Sequence, residues 1–228
     1  MKYLLRFCVF ALAAAVGTAM ASAETIVSFG SSNGSATAPS GQATASNTAL
    51  AYLGYNAATD VLSNDPAAGT FNISTGGGVW KGPVAGSSWV SFMGDAQPGG
   101  TTYAGGTYTY STTFSAGNAA SLYLGVYADD TTSVWLNGTK VLPSAINKTA
   151  GAHCTVDTPN CVTEYDFTIN GLVNGSNTLT FGVDQLYGSA TGVDFSGTVS
   201  ATPEPSSLML LGTGLLGAAG ALRRRLRS

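Results

Sequence analysis

Positive charge is scarce in this sequence, and what there is sits at the two ends. The 228 residues hold nine Lys and Arg against twelve Asp and Glu, with one histidine. Lys2 and Arg6 lie at the N-terminus; Arg223, Arg224, Arg225 and Arg227 lie among the last six residues. Residues 24–202 keep only Lys81, Lys140 and Lys148 against eleven carboxylates, a net charge of about −8. Such a segment has no basic footprint for nucleic acid. It also lacks the basic face of an interfacial membrane helix. Outside the two termini no stretch carries an apolar repeat of 3.6 residues, which argues against a helical domain.

Catalytic parts are equally short. The lone histidine, His153, stands beside Cys154, and an activated nucleophile needs a base that faces it and a third group that orients the base. Two cysteines and one histidine fall short of the four ligands of structural zinc. Gly76-Gly77-Gly78 is followed by no Gly-Lys-Ser/Thr, so a turn before a strand is expected there rather than a phosphate loop. No Asp-x-Asp-x-Asp-Gly run exists. Adjacent Asp129 and Asp130 are the remaining candidate calcium ligands, and such residues are also ordinary turn formers. Paired glycosidase carboxylates require a defined separation in space, which spacing along the chain does not give. The chain is therefore read as non-enzymatic and without a cofactor.

What is present is an export pattern. Lys2 and Arg6 form a positive region before the apolar run Phe7–Val16, and Ala21-Ser22-Ala23 is a small-x-small cleavage site. That is a secretory signal peptide over residues 1–23, handled by the Sec machinery and cut by signal peptidase after Ala23. Removing the signal takes away Cys8 and leaves Cys154 and Cys161 in an oxidising compartment, where a disulfide is expected. A ring this small contributes roughly 2–3 kcal/mol in the entropic account.

The other end reads Pro203-Glu204-Pro205, then an apolar stretch with a transmembrane span at about 206–222, then the basic tail 223–228. A bilayer core needs about 20 apolar residues, so this run is short but close. The arginines act as a membrane stop, holding the tail on the cytoplasmic side. These three parts, in this order over 203–228, resemble a PEP-CTERM sorting signal. The resemblance implies recognition of Pro203, Glu204 and Pro205 by an exosortase-type membrane enzyme in a Gram-negative bacterium that secretes polysaccharide. An inner-membrane-anchored precursor would then pass to the cell surface or the extracellular matrix. The prolines should keep the motif extended.

Between the ends lies one domain, 24–202, best patterned over 88–200. Tyr108, Tyr110 and Phe114 alternate with Thr107, Thr109 and Thr113; Leu122, Leu124 and Val126 repeat the period of two. This predicts sheets with one buried face. Asn137-Gly138 between two β-prone runs is a hairpin signal, because both central residues of a type I′ turn need positive φ. At least seven such strands predict an all-β antiparallel sandwich. Leu122 to Val141, with Ala128-Asp129-Asp130 and Val134-Trp135-Leu136-Asn137-Gly138, resembles the central hairpin of galactose-binding-like jelly rolls. That resemblance implies a binding or structural module, linked to exopolysaccharide or biofilm, with a jelly-roll carbohydrate-active enzyme as the alternative.

The sorting signal can be tested directly. Glu204→Ala should leave an uncut precursor in a host carrying the processing enzyme. Intact mass spectrometry of the unsubstituted protein should find a product lacking the arginine tail; a chain still ending at Ser228 contradicts the sorting reading.

Overall fold

A computed structural model describes residues 27–32, 46–65, 69–75, 78–118, 120–146, 153–201 and 205–226. The signal segment with Ala21 and Ala23 lies outside the described residues, as do Pro203, Glu204 and Arg227. The chain divides into a unit at Ile26–Ser200 and a second that includes the tail, Ala201–Ser228.

The first unit is built on strands β1 (Val27–Gly30), β2 (Ser46–Asn47), β3 (Ala51–Asn56), β4 (Thr70–Asn72), β5 (Val90–Ser91) and β6 (Gly106–Ala116). It continues with β7 (Ala120–Asp129), β8 (Thr131–Leu136), β9 (Thr139–Leu142), β10 (Tyr165–Ile169), β11 (Gly175–Gln185) and β12 (Gly192–Ala201). A four-residue helix, α1 (His153–Val156), interrupts the connection between β9 and β10. One sheet runs β10-β7-β12-β5-β4-β2, with β1 also paired to β12; the other runs β3-β6-β11-β8-β9. The recorded pairings are antiparallel, and the longest runs from Gly106↔Gln185 to Ala116↔Gly175. The expected sandwich is therefore present. The β8–β9 hairpin turns at Asn137 and Gly138, with φ of 50° and 80°.

The alternating apolar residues meet between the sheets. Leu122, Leu124 and Val126 of β7 are buried in one cluster with Val134 of β8 and Leu179, Phe181 and Val183 of β11. Burying each such side chain contributes about 1.5–3 kcal/mol. Two aromatic pairs tie sheet to sheet: Phe181 with Phe195 at 4.6 Å, and Phe29 with Phe114, stacked at 4.6 Å. Phe29 fits because position 197 is glycine; a Cβ there would lie 2.8 Å from its ring.

The expectation of one wet face fails for the second sheet. Thr107, Thr109, Thr132 and Ser133 are buried too. The segment after β3 lies across them: Ser63 donates its N–H to Thr109 Oγ1 at 2.9 Å, and Asp60 its N–H to Asp184 Oδ1 at 2.8 Å. Threonines suit this cover because each hydroxyl gives a backbone group a partner without a charge. Residues 24–68, weakly patterned in sequence, thus supply β1–β3 and part of this second layer.

Asp194, on β12, joins distant parts of the first sheet. Its carboxyl accepts from Ser31 Oγ at 3.1 Å, from Ser87 Oγ, and from Val84 N–H at 2.8 Å. Burial pushes its pKa up to about 6, against the pull of these donors.

In the second unit, α2 (Pro205–Leu226) forms, with Arg223, Arg224 and Arg225 in its last turn. Two expectations are corrected here. Among the described residues no helix is long and apolar enough to cross a membrane, so the transmembrane span at 206–222 is not found. Thr213 and the glycines at 212, 214, 217 and 220 dilute its apolar surface, and arginines close it. Pro205 is also not extended but opens the helix, a position where its missing N–H costs nothing.

A group whose pKa is raised on folding favours the folded state at low pH and loses that contribution as pH climbs through the folded value. For Asp194 the window runs from about 4 to about 6, and the shift corresponds to about 3 kcal/mol. Asp194→Asn should flatten this part of a stability-against-pH curve measured by urea unfolding. An unchanged slope would count against the buried neutral carboxyl.

Candidate functional site

A second, smaller apolar cluster sits at one end of the sandwich and sets the site. Trp80 stacks on Trp89 with ring centres 4.1 Å apart, packed with Ile73 and Cys161. Trp89 donates Nε1–H to Lys81 O at 2.7 Å, which leaves the Trp80 indole N–H for Asp129 Oδ2 at 2.5 Å. Tryptophan is used where its ring is buried and its N–H has a partner; both rings meet that condition.

Asp129 ends β7 and Asp130 begins the turn into β8, with a cis peptide bond between them. Asp130 donates its N–H to Asp184 O at 2.9 Å and accepts from Leu186 N–H, through Oδ2, at 2.8 Å. Burial holds the Asp129 carboxyl well above the usual carboxylate range; the charge and hydrogen bond of Asp130 add to this, and Trp80 opposes it. Asp129 Oδ1 accepts nothing from the protein among the described residues.

Cys154 and Cys161 form the expected disulfide, with Cα atoms 5.1 Å apart. Its loop is stitched to the same corner: Cys161 O accepts from Lys81 N–H at 2.8 Å and Asn160 O from Ala128 N–H at 3.1 Å. His153 begins α1 beside Cys154.

These elements enclose a cleft of about 430 Å³ whose walls include Val79, Trp80, Asp129, Asp130, Gln185 and Tyr187, with the 97–102 loop on one side. Gln185 is 1% exposed. Its Nε2 donates to Ser189 Oγ at 2.9 Å and to Ala190 O, and its Oε1 has no donor among the described residues. Gln97 Oε1 is in the same condition. Among the described residues no lysine, arginine or histidine lines the cleft. Its wall combines carboxyl, amide and hydroxyl groups with one apolar side, where Tyr187 is 60% exposed and Val79 56%.

Of the sequence candidates, the structure brings Asp129, Asp130 and Cys154 to this cleft. Asp184 and Asp194 serve structural networks elsewhere, and Asp157 is buried in the disulfide loop. Among the described residues no group of three or more His, Cys, Asp or Glu could hold a metal ion, so calcium at Asp129 and Asp130 is carried no further. Sequence reasoning missed Trp80 and Gln185. Neither belongs to a motif, and Gln185 reads only as the end of an alternating strand.

Comparison with known proteins adds one assignment. Residues 201–225 match the PEP-CTERM protein-sorting motif. The match covers the tail, and the chain matches none of the curated proteins at a significant level. Among solved structures it is similar to a family 35 carbohydrate binding module from Clostridium thermocellum, at 18% identity, with 50% of this chain and 78% of that one covered and a TM-score of 0.31. It is also similar to CBM35 from Paenibacillus barcinonensis, at 15% identity, 77% and 99% coverage and a TM-score of 0.36. Likeness at this level carries no argument about what the cleft binds.

The Trp80–Asp129 bond offers a test of the site's construction. Trp80→Phe keeps a ring in place but removes the donor, and should cost about 1–3 kcal/mol. In an Asp129→Asn background the cost should shrink, since the amide no longer demands that donor so strongly. A double-mutant cycle by urea unfolding with no coupling between the two would contradict this geometry.

Proposed function

We propose that this chain is an exported, non-catalytic binding module whose tail directs it through an exosortase-type enzyme to the envelope or extracellular matrix of a Gram-negative bacterium. In this reading Pro203, Glu204 and Pro205 are the processing motif, and Arg223, Arg224, Arg225 and Arg227 retain the precursor at the inner membrane. The sorting match over residues 201–225 supports that part. The final location in an exopolysaccharide or biofilm matrix is an extension of the same reading.

One observation carries the binding part: a cleft of about 430 Å³ that sets Val79, Trp80 and Tyr187 beside the polar residues Asp129, Asp130, Gln97 and Gln185. Its natural complement is a ligand rich in hydroxyl donors, with an apolar face for Tyr187 and Val79. Polysaccharide fits both requirements. Ligand sites of this kind combine an apolar wall with a few placed polar groups. A non-catalytic role is favoured because Asp129 and Asp130 are adjacent in the chain. Glycosidic carboxyls instead stand about 5 Å or more apart, to flank the bond they break.

A glycan array and a hydrolase screen on residues 24–202 should return binding without turnover. Turnover that disappears on changing Asp129 or Asp130 would replace this reading with a jelly-roll carbohydrate-active enzyme.

A further inference from the structure

We propose that the Cys154–Cys161 disulfide is a thiol-exchange site that sets one wall of the cleft: an external dithiol opens it, and α1 then leaves the cleft while Cys161 stays with the tryptophans. This goes beyond the binding function and holds whatever the cleft takes.

The two cysteines are held unequally. Cys161 is 0% exposed and packs with Ile73, Trp80 and Trp89. Its carbonyl accepts from Lys81 N–H at 2.8 Å, and that of its neighbour Asn160 from Ala128 N–H at 3.1 Å. The Asn160 side chain secures the same turn, accepting through Oδ1 from Val162 and Thr163 N–H at 2.9 and 2.8 Å. This half of the loop is built into the sandwich independently of the S–S bond. Cys154 is partly exposed and forms part of the cleft wall. It belongs to α1, a helix of four residues in which Thr155 and Val156 are exposed. A single helical turn fixes several residues for few hydrogen bonds, so it does not stand unaided. Cys161 N–H donates to Cys154 O at 3.1 Å, and the disulfide is the covalent tie that keeps this bond made. The cysteines are seven positions apart, and so short a ring constrains its own loop more than the rest of the chain. Opening it therefore leaves the main core in place.

Partly exposed disulfides are the ones open to exchange. A thiolate of the dithiol attacks Cys154 Sγ from the cleft. The S–S bond breaks, and its electron pair leaves on Cys161 Sγ, which takes a proton. The second thiol, as thiolate, then attacks the dithiol's own sulfur in the mixed disulfide and releases Cys154, which is protonated in turn. The dithiol has given two electrons and ends as a disulfide, and the protein ends with two thiols. Cys161, enclosed by the tryptophan cluster, offers an attacking thiol no such approach.

The test is thiol labelling and amide exchange on the exported chain, purified without reductant. Dithiothreitol at pH 8 should open the disulfide in the absence of denaturant, with the far-UV circular dichroism unchanged. N-Ethylmaleimide followed by peptide mapping should then label Cys154 at least about tenfold faster than Cys161. Hydrogen exchange followed by NMR should accelerate at least about tenfold at the Cys161 amide, which loses Cys154 O, and change less than about twofold at Lys81 and Ala128. In Cys154→Ser the Cys161 thiol should resist labelling in the folded protein and react once urea is added. Reduction that requires urea, or that unfolds the domain, would make the disulfide a plain staple and overturns the proposal. Equal labelling of the two thiols overturns it, because Cys161 would then have left the tryptophans. Exchange that accelerates at Lys81 as much as at Cys161 overturns it for the same reason. An unchanged Cys161 amide overturns it too, since α1 would be holding its place without the bond.

Discussion

Buried carboxyl groups without cations are the condition to which this fold answers. Asp129, Asp130, Asp157, Asp184 and Asp194 are each at most 5% exposed. The one ion pair among the described residues, Lys140 with Asp60 at 2.5 Å, is partly exposed and engages none of them. An isolated buried carboxylate is too costly to persist, so it must be neutralised or densely hydrogen-bonded. This chain uses hydroxyls, an indole and backbone N–H groups. Asp194 takes two serines and the Val84 N–H; Asp184 takes Thr107 and the Asp60 N–H; Asp129 takes Trp80. In each case burial still lifts the carboxyl above its ordinary range. These acids therefore act as long-range ties: Asp194 bonds residues more than 100 positions away.

The same condition yields both scaffold and cleft. Where the donors suffice, as at Asp194, the acid pins strands. At the Trp80 corner the acid pair instead forms part of a cleft wall. The stacked tryptophans pack with Cys161 of the disulfide loop at that corner. The tail, meanwhile, concerns delivery rather than recognition, and its motif is separate in sequence from every residue of the cleft.

The sandwich was legible from residue 106 onward because period-two alternation on β6, β7 and β11 states which face is buried, and Asn137-Gly138 states where the chain reverses. The sorting tail was legible because its three parts are contiguous. The covering layer at 57–65 was not, since it binds the sheet through threonine hydroxyls and backbone groups, and hydroxyl-rich positions read as solvent-facing. The apolar run near the C-terminus suggested a membrane span, which the helix does not support; apolar count was read without the diluting effect of Thr213 and the glycines. The cleft was half legible. Asp129 and Asp130 stood out as a pair, but Trp80 lies 49 positions before Asp129, and Gln185 lies on a later strand. Only the fold brings them together.

The central claim, that burial without cations raises the Asp129, Asp184 and Asp194 carboxyls, is open to direct observation. Carbon-13 NMR of the aspartate side-chain carboxyls, followed from pH 3 to pH 8, resolves each titration. Asp194 should titrate with a midpoint near 6, and Asp129 should titrate above the solvent-exposed carboxyls. Ionisation of both groups by pH 4 would contradict the account.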